Sequence, residues 1–160
     1  MHSISKKIMS TLFVHLLFMT LLFGELKIGE RFPSLTLENP YNETVTISKE
    51  GTCTLLFSFE KNISTAIQAF LEKQEPDFLS QHHMMYISDI SSLPKFLVSF
   101  FVLPKLKGFA FDVALLYEDN TLNREENKIT VIRLKDNTVV DMMFIEVDKL
   151  ESFMVEPASF

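Results

Sequence analysis

Thr54–Phe70 reads TLLFSFEKNISTAIQAF, and the interpretation of this stretch decides the fold. Its first half belongs to the run Cys53–Phe59, whose near-continuous apolarity suits a strand covered on both faces. In the second half Ile63, Ile67, Phe70 and Leu71 recur at i, i+4, i+7 and i+8, the spacing of a helix's core face. Asn62 or Ser64 is placed to cap that helix, and Pro76 marks its end by removing an N–H. A strand that runs straight into a helix aims free backbone N–H groups and the positive end of the macrodipole at one spot. Folds often keep a catalytic group there, yet none is identifiable at this junction.

Downstream, Met84–Ile87 reads as the next strand. Ser91 or Ser92 then caps a second helix, with Pro94 in its first turn and Pro104 as its stop. Phe96, Leu97, Phe100, Phe101 and Leu103 make this helix strongly apolar. Phe109–Tyr117 is apolar enough for another strand, and Glu118–Lys128 is polar enough for a solvated loop. Ile129–Leu134 and Thr138–Ile145 form a hairpin about the turn Asp136-Asn137. Val147, Leu150 and Met154 then outline a short C-terminal helix. Upstream, Ser34–Leu37 and Thr44–Ile47 alternate polar with apolar around the turn residues Asn39–Asn42, which predicts a short strand pair. The resulting order, β-β, β-α-β-α-β, β-β-α, predicts an α/β fold with a central mixed sheet and a right-handed parallel crossover.

A chain of 160 residues with 47% apolar composition has the length of one domain and the means to build one core. Residues 1–24 place Lys6 and Lys7 ahead of the apolar run Ile8–Phe23, the layout of a secretory signal. The run is short for a spanning helix, and an uncleaved anchor is the competing reading. The domain then occupies residues 25–160, in the periplasm or secreted, or held at the inner membrane facing the periplasm. The formal charge is −6, and loss of Lys6 and Lys7 with the signal leaves 13 − 21 = −8. That balance argues against nucleic acid as a partner, and against membrane beyond the N-terminal anchor. The single cysteine, Cys53, rules out an intrachain disulfide.

Several phrases resemble the thioredoxin-like superfamily in its extended exported form, as in peroxiredoxins, TlpA-type and YtfJ-type proteins. IGERFPSLTLENPYNETVTI, Ile28–Ile47, resembles the lead-in to the first central strand, TLLFSF resembles that strand, and ITVIRLKDNTVVDMMF resembles the later hairpin. The resemblance implies a three-layer sandwich, a central mixed β-sheet flanked by helices. It also implies where the redox groups would stand, and they are missing. No cysteine lies within Asn62–Ile67, where a C-x-x-C pair would be, and Ile67 takes the place of a peroxidatic thiol after Ser64-Thr65-Ala66. Lys128 takes the place of the cis-proline. Cys53 precedes the strand and stands in for none of these.

The remaining candidates are a degenerate active-site loop and a copper set. Glu60, Lys61, Asn62, Ser64 and Thr65 surround the helix start and could bind a small anion or form a solvated loop. Glu60–Ser64 also fits an extended glycosylation sequon at Asn62. His82, His83, Met84 and Met142 offer imidazole and thioether groups suited to copper, or a strand start plus core methionines. No nucleophile-elbow, P-loop, zincin or EF-hand pattern is present, and no cofactor is expected. The expectation is an exported, non-catalytic protein that binds a protein partner in the cell envelope. Its partner surface is the Glu60–Ser64 loop or the Phe-rich helix Pro94–Leu103; copper handling or a monothiol role for Cys53 is the alternative.

Overall fold

The computed structural model describes residues 25–155, so the predicted signal segment, residues 1–24, lies outside the described residues. The strands are β1 (Leu37–Glu38), β2 (Thr44–Val45), β3 (Thr52–Ser58), β4 (Met84–Asp89), β5 (Ala114–Leu116), β6 (Lys128–Lys135) and β7 (Thr138–Glu146). They form one mixed sheet in the order β2-β1-β5-β4-β3-β6-β7. β3, β4 and β5 are parallel, and the pairs β3–β6 and β6–β7 are antiparallel. The α/β class and mixed central sheet match the expectation.

Helix α1 (Lys61–Leu71) follows β3, the short α2 (Phe78–Gln81) precedes β4, and α4 (Leu150–Val155) follows a 3-10 turn at Val147–Lys149. Between β4 and β5 runs α3, built from an α turn Lys95–Leu97, a π-helical stretch Val98–Val102 and a final α turn Leu103–Leu106. The chain steps from β3 to β4 to β5 in one direction across the sheet. Right-handed crossovers then place α1 and α3 on the same face. Ile63, Ile67 and Leu71 of α1, Val98 and Leu106 of α3, and Leu150 and Met154 of α4 accordingly share one core with Leu56, Tyr86 and Leu115 of the strands.

Alternate strand residues build a second core on the other face, where Leu55, Phe57, Ile87 and Ile132 are buried. Its cover is irregular chain, contributed by Phe32, Leu35 and Leu122. The segment Glu118–Lys128 is therefore more than a solvated loop, since Leu122 is 5% exposed.

Several boundaries differ from the sequence expectation. β1 is Leu37–Glu38 and β2 is Thr44–Val45, both shorter and the first shifted, because Asn39 Oδ1 accepts the N–H groups of Tyr41 and Glu43 and curls the chain early. β5 covers only Ala114–Leu116, because the rings of Phe109 and Phe111 stack at 4.7 Å ahead of it and pack into the helical-face core. Pro104 does not stop α3. It falls at the first turn of the last α piece, where a missing N–H goes unnoticed, and the π stretch before it re-spaces the hydrogen bonds.

Candidate functional site

The site grows from the carboxyl ends of β3 and β4, where ligands commonly bind in open α/β sheets. TLLFS and MMYIS lie side by side in register, pairing Ser58 with Ser88 and Leu56 with Tyr86. Strand alternation turns Ser58, Ser88 and Tyr86 to the helical face, beneath the first turn of α1. Ser64 completes a chain of hydroxyls: its Oγ lies 2.7 Å from Ser58 Oγ and 3.2 Å from Ser88 Oγ, and Ser58 Oγ lies 3.1 Å from the Tyr86 hydroxyl. Ser58 is fully buried and Tyr86 is 1% exposed, so each hydroxyl needs this partnership to offset its lost hydration.

Above the hydroxyls a groove of about 390 Å³ opens between α1 and α3. Ser64, Thr65 and Gln68 form the α1 wall, Leu97, Phe101 and Lys105 the α3 wall, and Ser88, Asp89 and Ile90 part of the floor. Lys105 Nζ donates to Gln68 Oε1 at 2.8 Å, which ties the two helices together across it. Thr65 Oγ1 donates to the Lys61 carbonyl at 2.8 Å.

Glu60 is the N-cap residue in extended conformation, and no side chain caps α1. This corrects the expectation that Asn62 or Ser64 would do so. The Ser64 hydroxyl is spent on Ser58 and Ser88, and Asn62 Nδ2 donates to Asn127 Oδ1 at 3.1 Å. Glu60 Oε1 accepts the Asn127 N–H at 2.8 Å, so Asn127, in the left-handed region at φ 59, clamps the junction to the start of β6. Lys128 points elsewhere: its Nζ meets Glu125 Oε2 at 2.6 Å, and that hydrogen bond and charge hold its pKa above the ordinary lysine value. There is no cis peptide bond among the described residues.

Ile67 is fully buried and faces the sheet core, away from the groove. A thiol at that position would sit in hydrocarbon, so the side chain that overlooks the groove from α1 is Ser64, one turn earlier. Cys53 is the second residue of β3 and not ahead of it as expected, about 16 Å from Ser58 at strand rise. It packs against the second core, and burial pushes its thiol up.

The copper set is not brought together. Met84 packs on the helical-face core and Met142 on the other, with β3 and β6 between their strands, about 14 Å at the usual strand spacing. His82 Nδ1 is 2.8 Å from the Phe78 carbonyl and its ring leans on the Phe78 ring at 4.2 Å. His83 is an exposed turn residue at φ 52. No group of three or more His, Cys, Asp or Glu among the described residues could hold a metal ion.

The hydroxyl chain and Lys105 were missed by sequence reasoning. The signal available was the shared serine ending of TLLFS and MMYIS, which becomes informative once the two strands are laid parallel.

No protein-family model matches the chain, and no curated protein matches it by sequence. In three dimensions it is similar to a PrxQ mutant from Xylella fastidiosa, with a TM-score of 0.53 and 14% identity over 82% of this chain and 94% of that one. It is similar to a peroxiredoxin-like protein from Aquifex aeolicus, with a TM-score of 0.50 and 14% identity over 82% of this chain and 85% of that one. A thiol:disulfide interchange protein from a Bacteroides species aligns at TM-score 0.49 and 11% identity, over 84% of this chain and 94% of that one. The chain thus has a thioredoxin-like α/β fold that carries one cysteine and no C-x-x-C pair.

Proposed function

We propose that this is an exported, non-catalytic thioredoxin-fold protein whose groove between α1 and α3 receives an extended, apolar segment of a partner polypeptide. One observation carries the reading: the groove persists at the junction where this fold keeps its redox group, yet no thiol lines it, its sulfur position is core, and an apolar stretch lies between the charged groups Glu60, Lys61, Asp89 and Lys105. Leu93, Leu97 and Phe101 supply an apolar wall, and the floor hydroxyls are already partnered with one another. Such a surface binds by burial and shape rather than by chemistry. Export rests on the layout of residues 1–24, and recovery of the protein in the cytosol after fractionation would overturn that part.

Selection of a phage-displayed random peptide library on the full chain tests the groove. Enriched peptides are expected to share apolar residues and to lose binding at least tenfold to Phe101→Asp and Leu97→Asp. Peptides that bind these variants equally well would place recognition elsewhere. Insulin reduction that survives Cys53→Ser would overturn the non-catalytic reading itself.

A further inference from the structure

Helix α3 presents distinct lengthwise stripes. Val98, Val102 and Leu106 pack on the core, Leu97, Phe101 and Lys105 line the groove, and Lys95, Ser99 and Leu103 line a recess beside β1. The outermost stripe is aromatic: Phe96 is 61% and Phe100 74% exposed, with Phe101 beside them at 68%. We propose that this outer face is a membrane-surface element, which lays Phe96 and Phe100 into the boundary between headgroups and acyl chains of an anionic bilayer.

Charge is the first argument. The chain is acidic as a whole, at −6, yet from Ile90 to Phe111 its only charged residues are Lys95, Lys105 and Lys107. All three are exposed; Lys95 adjoins Phe96 in sequence, Lys107 lies one turn past the stripe, and Lys105 stands in the groove wall, bonded to Gln68. Glu38, at the end of β1, and Glu118, in the loop after β5, share the recess with Lys95 on the side away from Phe101. Exposed aromatics flanked by lysines are the composition of an interfacial helix, and each lysine near an anionic surface adds to attraction. The net charge alone argued against a membrane partner; the local distribution reverses that argument for this one face. The same lysines oppose a second copy as occupant, since self-pairing would bring like charges together.

Shape is the second argument. Phe96 and Phe100 project from a convex helix surface instead of lining a slot, which suits a fluid, deformable partner. Phe96, Phe100, Lys95 and Lys107 take no part in the Leu97–Phe101–Lys105 wall, so the groove reading can fail without affecting this surface.

The sequence contains no tryptophan, so Phe100→Trp creates a sole indole reporter. In the full chain, mixed with vesicles of phosphatidylcholine and phosphatidylglycerol, its emission is expected to shift to the blue and to be quenched by brominated acyl chains. Val140→Trp, on β7, is expected to stay unshifted in the same vesicles. Adding Lys95→Glu and Lys107→Glu to the Phe100→Trp chain is expected to lower the shifted fraction at least tenfold. The proposal is overturned if Phe100→Trp stays unshifted, whether or not the chain sediments with the vesicles, or if both reporters shift alike. A shift that needs no vesicles and grows with protein concentration assigns the face to a second copy and also overturns it.

Discussion

Ser58 is a hydroxyl with no water to fall back on, fully buried and shared between Ser64 and Tyr86. Removing it leaves the buried Tyr86 hydroxyl without that partner, a loss worth about 1–3 kcal/mol. Ser58→Ala is therefore expected to lower unfolding free energy by about 2 kcal/mol in urea titrations, with Tyr86→Phe costing less. Because the two groups share one bond, the double variant should cost less than the sum of the singles; strict additivity would mean that the hydroxyl pair is not coupled. The identity of these residues was out of reach in the linear reading, for a physical reason. Ser58 and Ser88 look like strand-end residues until the parallel register sets them opposite each other. Ile67 was legible as a core position from its helical period, and that same period explains why sulfur at that position would be useless.

At the scale of elements, legibility followed the strength of local chemistry. The β6–β7 hairpin was readable because Asp136 and Asn137 form a two-residue loop between apolar strands, and both adopt positive φ, 48 and 62. Asp136 also braces Gly51, accepting its N–H at 2.9 Å and donating its own N–H to the Gly51 carbonyl at 2.8 Å. Asn137 has no side-chain role of that kind to lose, and glycine is the preferred second residue of such a turn. Asn137→Gly is accordingly expected to raise stability by about 0.5 kcal/mol, and Asn137→Val to lower it by about 1 kcal/mol or more, read as shifts in the urea midpoint. A destabilising glycine would show that the asparagine amide matters. α3 was harder to read, since Pro104 signals a stop wherever a regular α-helix is assumed, and the π stretch removes that assumption. Its excess of phenylalanine was legible as a candidate partner surface, and Phe96, Phe100 and Phe101 stand exposed because a helix this apolar exceeds the one face that the sheet can cover.

Across the whole molecule, the sheet order accounts for what surrounds the site. Two crossovers in one direction put α1 and α3 together on one face, which creates the groove and leaves the second face to irregular chain. Cys53 belongs to that second face, and its position couples stability to alkaline pH. Burial raises its thiol above the ordinary value of 9.0. Burial, then the charge of Glu38, raises Tyr117 above 10.0, and the Glu125 hydrogen bond raises Lys128 above 10.5. In each case the folded state holds a proton that the unfolded state gives up first. Unfolding then releases protons, and stability falls as pH climbs through the interval between the unfolded and folded values. The urea midpoint is expected to fall once pH passes 9.0, the thiol acting first. The Lys128 side chain is one third exposed and its ion pair with Glu125 is screened by solvent, so its share is the smallest. In Cys53→Ala the first part of the decline should disappear, leaving a later fall that begins near the ordinary tyrosine value of 10.0. Thiol labelling over the same pH range separates the causes: a labelling rate that rises at higher pH in the native protein than in urea is the signature of a thiol held protonated by the fold. A Cys53→Ala profile superimposable on the parent would instead assign the whole alkaline loss to Tyr117 and Lys128.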